Sequence, residues 1–351
     1  MTISLKKNWW KLLAIVIMLY VLFAGFLIPL SPGIIDNTNA KAMTSETYST
    51  ELQCYNSMLT KAEDLNVWIW LPDDRLIKAA SHEVVNDTYV KAVFDTIPGD
   101  VMESDVNSIA ASIMIDNSYE GHYFYRNALT IQRSETEKKI TGNYYALEDI
   151  KTRKSLKFPF QHILYETSRN TYFHVAIWMA MFALLICSGY YSIKYLIGKN
   201  IYSDYMASSI TTVAIVFGIA GLATGSMWAK YTWGAFWTDD VKLNMTAVSL
   251  LIYLAYWVLR SSVSDPDLRA RISSVFNIFA FASLMVLVMV IPRLTDSLHP
   301  GNGGNPAFSS YDMDSTMRMV FYPSIIGYFL IGLWMSQLYF RYQKLRSGLF
   351  D

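Results

Sequence analysis

Residues 9–30 read WWKLLAIVIMLYVLFAGFLIPL, and their only charge is Lys11 in the opening turn. A hydrocarbon core about 30 Å thick needs roughly 20 mostly apolar residues in a helix, and this run is long enough. Lys6 and Lys7 precede it, as they would a signal peptide. The apolar stretch is too long for a signal core, however, and no small-residue cleavage site follows at once. It is read as a retained helix. Five more stretches have the same character: residues 175–196, 207–228, 245–259, 272–291 and 319–340. The fourth of the six is the shortest. Composition agrees, with 53% hydrophobic, 15% aromatic and only 17% charged residues, where soluble domains carry about 25% charged. The expected class is an all-α membrane bundle of six transmembrane helices, with one large insertion.

Lys and Arg set the orientation. Lys6, Lys7 and Lys11 flank the start; Lys194 and Lys199 follow the second span; Arg260, Arg269 and Arg271 follow the fourth; Arg341, Lys344 and Arg346 close the chain. With six crossings these segments share one side. The opposite short loops carry fewer, Lys230, Lys242, Arg293 and Arg318. Both termini are therefore expected in the cytoplasm. Residues 31–170 then lie outside, and a segment this long is no plain connection. Alternating or β-branched runs at 66–71, 108–115, 122–132 and 154–160, with turn signals at Pro72-Asp73-Asp74 and Pro98-Gly99-Asp100, read as a β-rich extracytoplasmic domain between helices 1 and 2. A mixed module with a helix over 51–65 is the alternative. The division is 1–30 (tail and first helix), 31–170 (insert) and 171–345 (five-helix core with an aromatic loop at 228–244).

Topology gathers the candidate chemistry. His174 opens the second span, the loop 228–244 comes two crossings later, and His299 two crossings after that. An even number of crossings returns the chain to the same face, so all three share the outer side. Two imidazoles on either side of a plane suit haem iron. Flat rings such as Trp228, Trp233, Phe236 and Trp237 can cover a macrocycle. Zinc would want further ligands; Asp239 and Asp240 could supply them but leave the Trp cluster unexplained. The plainer readings stand beside these. Trp and Tyr anchor helices at membrane interfaces, and a histidine at a helix end is common. Gly218, Gly221 and Gly225 read as helix packing, Asp265-Pro266-Asp267 as a helix cap, Asp239-Asp240 as a solvated pair. His82, His122 and His162 in the insert read as ordinary surface or core residues, His162 being the one best placed to approach the site.

Other classes drop out. Net charge is zero and no basic stripe with interleaved aromatics occurs, so no nucleic-acid partner is expected. No Walker A loop, GxSxG or HExxH is present. Without CxxCH the chain is not itself a c-type cytochrome. Cys54 in a polar segment and Cys187 in an apolar span do not read as a bridge.

The loop WAKYTWGAFWTDDVKLN (228–244) resembles the Trp-rich signature of haem-handling membrane proteins, which runs roughly WGxxWxWDxRL. Trp233, Gly234, Trp237, Asp240 and Leu243 match, and Lys242 stands where Arg is usual. FHVAIWMAMF (173–182), SLHP with His299, and SDPDLRAR (264–271) resemble segments of the cytochrome c maturation protein C family. The similarity spans about residues 173–300 and the six-span plan. Two departures are plain: Asp239 replaces a usual Trp, and the insert is absent from the family's compact plan. The insert is expected to dock the haem chaperone or other assembly proteins.

The resemblance implies a carrier in the bacterial cytoplasmic (inner) membrane that binds haem b at its periplasmic face for cytochrome c-type biogenesis. His174 and His299 would be the axial iron ligands. Trp233, Trp237 and Asp240 would form the platform, with Trp228 and Phe236 packing beside it. Partners would be the ABC transporter subunits of the maturation complex, a periplasmic haem chaperone and membrane lipid. A partner histidine would capture an exposed vinyl edge, and the partner complex's ATP use would release the product. No covalent chemistry is expected in this chain. The competing readings are a haem lyase, whose relatives have more spans and further intramembrane histidines, and a structural transporter subunit with the loop as an anchor.

Overall fold

A computed structural model of the chain describes residues 5–103, 105–134, 141–150, 156–299 and 313–348. Among these residues six helices are long and apolar enough to cross a membrane. They are α1 (Leu5–Leu27), α2 (His174–Gly198), α3 (Ile201–Trp233), α4 (Val241–Ser262), α5 (Pro266–Met285) and α6 (Ser315–Ser347). Several outrun their apolar stretches because polar caps satisfy their ends. Asn200 accepts from the Tyr202 amide at the start of α3, and Asp265 accepts from the Leu268 amide at the start of α5, with Pro266 in the first turn. After α5 the chain continues through a π turn, Val286–Val290, and a 3-10 turn, Ile291–Arg293.

The chain divides into two units, one holding residues up to Leu27 together with those from Glu166 on, the other Ile28–Tyr165. In the helical unit α2, α3, α4 and α5 share a core that includes Leu184, Phe217, Tyr253 and Leu284. Small residues set the spacing: a Cβ on Gly218 would stand 3.0 Å from Leu250 and 3.1 Å from Met181. Some of the polar groups inside this unit are answered by one another. Asn277 donates to Ser188 at 2.8 Å and Ser192 at 2.9 Å. Arg260 grips Asp204 through both guanidinium nitrogens, at 2.7 and 2.6 Å.

The other unit overturns the all-α class. Its described residues form ten strands in two sheets, so the chain is mixed α and β, and the bundle accounts only for the membrane part. Long apolar runs dominate hydropathy, whereas half-buried strands that alternate apolar and polar add little to it. One sheet pairs β1 (Gly33–Asn37), β3 (Thr47–Tyr55), β7 (Tyr89–Thr96) and β6 (Ser81–Asn86) in that order. The second runs β10 (Tyr145–Ala146), β5 (Arg75–Lys78), β4 (Leu65–Trp70), β8 (Ser108–Asn117), β9 (Gly121–Gln132) and β2 (Lys41–Met43). All pairs are antiparallel except β2 with β9. Ile34, Leu52 and Phe94 from the first sheet meet Ile69, Ile113 and Leu129 from the second in one core. Cys54 lies in that core, and burial, with Glu120's charge adding to it, pushes its thiol up to about 12.

Two local readings also fail. Residues 51–65 form no helix: β3 continues to Tyr55 and only a 3-10 turn, Leu59–Lys61, follows. Tyr48, Thr50, Leu52 and Cys54 point inward in strict alternation, and that period of two overrides the helical tendency of Glu51 and Leu52. Within 154–160, Phe158 makes only an isolated bridge to Leu30; Lys154 lies outside the described residues.

Candidate functional site

His174 is the first residue of α2. Its Nδ1 lies 3.0 Å from the carbonyl oxygen of Gly221 and 3.1 Å from the hydroxyl of Thr224. A carbonyl can only accept, so Nδ1 carries the proton and Nε2 carries the lone pair. Thr224 is itself tied back to Ala220 and Gly221, so both partners belong to one turn of α3. The ring fits because residue 225 is glycine: a Cβ there would stand 2.6 Å from His174 Cε1. One turn earlier, a Cβ on Gly221 would stand 2.7 Å from Trp178. The glycine series thus packs α2 on α3, and its last member makes room for an imidazole. Trp228 presents an edge to His174 at 5.7 Å between centroids, and its indole N–H donates to Thr167 at 3.2 Å.

His299 is held by a different device. Its Nδ1 is 2.9 Å from Asp240 Oδ1. Asp240 is buried and has four other donors: the amides of Lys242 and Leu243, at 3.0 and 3.1 Å, and the Ser297 hydroxyl and Leu298 amide, both at 2.8 Å. It therefore caps α4 and pins the turn before His299 at once. Burial works to raise its pKa, but the bonds from Ser297, Leu298 and Leu243 and the nearby His299 outweigh it and hold the carboxyl below its ordinary value. An ionised carboxylate only accepts, so His299 also carries its proton on Nδ1. Burial is the main influence on the imidazole and outweighs Asp240, leaving its pKa below the usual histidine value and the ring neutral near pH 7.

The aromatic loop splits. Trp233 packs against His299 at 4.9 Å and 69°. Gly234 follows with φ 83°, the left-handed conformation that ends α3 and that glycine adopts without strain. Phe236 and Trp237 are exposed and, among the described residues, make no ring contact with either histidine. Trp237 donates to Asn244 at 3.1 Å, and Asn244 donates to Asp239 at 3.1 Å. Asp239, the departure from the motif, thus holds the loop's outer indole through one intermediate. Lys230 donates to the Gly234 carbonyl at 2.9 Å.

Trp228, against His174, and Trp233, against His299, both lie in the last turns of α3, which brings the two imidazole seats to one end of the bundle. Asp240's oxygens are taken by α4's amides and by the 297–299 turn. Its place was hidden because the apolar run begins at Met245, while the helix begins at Val241. Thr224, the Gly221 carbonyl and Ser297 went unmarked; each acts through a partner far along the chain. Pro300, which closes SLHP, lies outside the described residues. Among the described residues no group of three or more His, Cys, Asp or Glu could hold a metal ion, so the zinc alternative finds no ligand set there.

The family model described as "Heme exporter protein C" matches residues 158–348, more than half of the chain. The chain belongs to the heme exporter protein C family. Among its relatives, the heme exporter protein C of Paracoccus denitrificans is 25% identical over 55% of this chain and 76% of its own length. That of Escherichia coli K12 is 24% identical over 49% of this chain and 69% of its own. That of Bradyrhizobium diazoefficiens is 27% identical over 34% and 46% respectively. In this chain the family match takes in His174, the aromatic loop and His299, and starts after the strands found among the described residues. The resemblance read from the loop and the two histidines therefore holds.

Proposed function

We propose that this membrane protein binds haem at the periplasmic face of the cytoplasmic membrane and presents it to a haem chaperone for cytochrome c maturation. The cargo is haem b, and the partners are the ABC transporter subunits of the maturation complex and the chaperone. The observation that carries this reading is the paired seat. His174 and His299 each have Nδ1 bound to an acceptor, so each carries its lone pair on Nε2. Metal-ligating histidines are held in this way, with the second nitrogen donating to a carbonyl or carboxylate. Trp233 and Trp228 flank the two imidazoles, and the relatives' printed name supports haem as cargo. The excess of Lys and Arg at one end of the helices supports cytoplasmic termini and a site on the opposite side.

A carrier fits better than a lyase. Among the described residues six helices are long enough to span, and the remaining histidines, His82, His122 and His162, all lie within residues 28–165. The chain thus offers the bundle no further histidine pair. Release requires that both axial bonds weaken, so moderate affinity is expected.

The test is the absorption spectrum of protein purified in mild detergent, for wild type, His174→Ala and His299→Ala. Sharp low-spin bands in wild type that shift or vanish in each variant are expected. A wild type that carries no haem, and takes up none when it is added, would leave the loop as an interfacial anchor of a transporter subunit.

A further inference from the structure

The 3-10 turn Tyr165–Tyr172 leads into α2, and the Phe173 amide donates to the Asn170 carbonyl at 3.0 Å, which carries the coil on to His174. Its polar side chains reach two neighbouring helices. On one side Arg169 donates to the Gly25 carbonyl at 2.8 Å, in the last turn of α1, and to Glu166 at 2.6 Å. A carbonyl at a helix end has no partner within its helix, so Arg169 supplies one. On the other side the Asn170 amide group donates to the Thr224 carbonyl at 3.1 Å, and Thr167 accepts from the Trp228 indole at 3.2 Å. The bond from His174 to the Gly221 carbonyl at 3.0 Å completes the set. Residues 167, 170 and 174 lie about one turn apart on one face, and so do their partners 228, 224 and 221 in reverse order. The three bonds form an antiparallel ladder with one rung per turn. A carbonyl inside a helix already accepts from an amide one turn on, so α3 needs neither Asn170 nor His174 for its own sake. What the rungs fix is place.

From this ladder we infer that Asn170 and Thr167 are positioning residues of the haem site. Asn170 holds the 221–224 turn of α3 against the start of α2, so that the His174 Nδ1–H keeps its acceptor and Nε2 keeps its lone pair. Thr167 holds the plane of the Trp228 indole, whose edge meets the His174 ring. The inference rests on the haem reading above. Each residue acts through a partner: Asn170 through Thr224, whose hydroxyl lies 3.1 Å from Nδ1, and Thr167 through Trp228. A ligand histidine binds well only when the groups around it fix its tautomer and the direction of its ring.

The experiment uses the full chain in detergent, as wild type, Asn170→Leu, Asn170→Asp, Thr167→Val and Thr167→Ser, with two readouts. The spin state of the haem each protein retains reports whether the axial bond is made. The ring-nitrogen NMR shifts of His174 in the haem-free protein report its tautomer. Loss of one neutral hydrogen bond changes an equilibrium about 2- to 10-fold. Asn170→Leu and Asn170→Asp, which both lose the donor, should raise the high-spin share of bound haem by about that factor. The share of His174 with its proton on Nε2 should rise with it. Thr167→Val should act in the same direction more weakly, since Trp228 meets the imidazole without bonding to it. Thr167→Ser keeps the acceptor and should match wild type. A merely structural role would lower melting temperature and yield while the retained haem stays low-spin and the tautomer stays unchanged, and that result would overturn the proposal. So would a loss in Thr167→Ser equal to that in Thr167→Val. A wild type with no low-spin haem would overturn the haem reading and leave the tautomer shift to decide the positioning role.

Discussion

His162 and the pair His174 and His299 differ in which ring nitrogen the fold leaves with a lone pair and in how the ring is covered. In the β-sheet unit His162 donates through Nε2 to the Ile35 carbonyl at 2.7 Å, and its face is stacked on Tyr125 at 4.5 Å. Its Nε2–H is spent on that carbonyl and one face of the ring is covered, so only Nδ1 keeps a lone pair. In the helical unit both histidines spend Nδ1 instead. Within that pair a second contrast appears. His174 leans on a backbone carbonyl and a hydroxyl from one turn of α3, groups fixed by the helix itself. His299 leans on a carboxylate that also caps α4, so a single side chain carries a whole seat.

The largest effect is expected where one side chain carries most. Asp240→Ala should weaken haem binding about 10- to 100-fold and remove a cap worth about 1 kcal/mol, read by haem titration and thermal melting. Unchanged affinity would mean that the carboxylate does not orient His299. Gly225→Ala comes next. Its Cβ meets the His174 ring at 2.6 Å, so the imidazole must shift, and a loss of at least ~10-fold is expected with the fold intact. Thr224→Val should cost only a few-fold, since the Gly221 carbonyl remains to fix the tautomer; a loss as large as that of Asp240→Ala would erase the contrast between the two seats. His162→Ala should leave the haem spectrum untouched while costing the β-sheet unit about 1–3 kcal/mol. A shifted spectrum there would place His162 in haem binding after all. The smallest effect is expected at Cys54. With its thiol pushed up to about 12, the thiolate is scarce at pH 8, and iodoacetamide should leave Cys54 unmodified until the unit unfolds or the pH approaches that value.

Much of the helical unit was legible because a bilayer imposes a length: about 20 apolar residues cannot hide in a sequence. The expectation that His174, the loop and His299 share one face followed from counting crossings. The sheets were legible where alternation was long, as in β8 and β9, and not where it was short. Among the described residues of this stretch, 156–160, the pattern supplies only the Phe158 bridge, because a strand needs a neighbour with free edges and pattern alone does not provide one.

The site shows the same division. The histidines, Trp233, Gly234 and Asp240 stand out as residue types in a motif, and the reading of Asp265 as a cap needed only its local context. What Asp240 does could not be read from 228–244, because its decisive partners, Ser297, Leu298 and His299, arrive from more than fifty residues away. Gly225 reads as a packing residue until the His174 ring is seen against it. Thr167 and Asn170 carry no signal in the polar segment before His174 and meet α3 only in space. The sequence by itself determined six stretches long and apolar enough to cross a membrane, and the parity that would return His174, the loop and His299 to one face, since apolar length and crossing parity are local or countable. Tertiary structure alone decided which nitrogen each imidazole presents, because a tautomer is set by the acceptor that packing delivers to the ring.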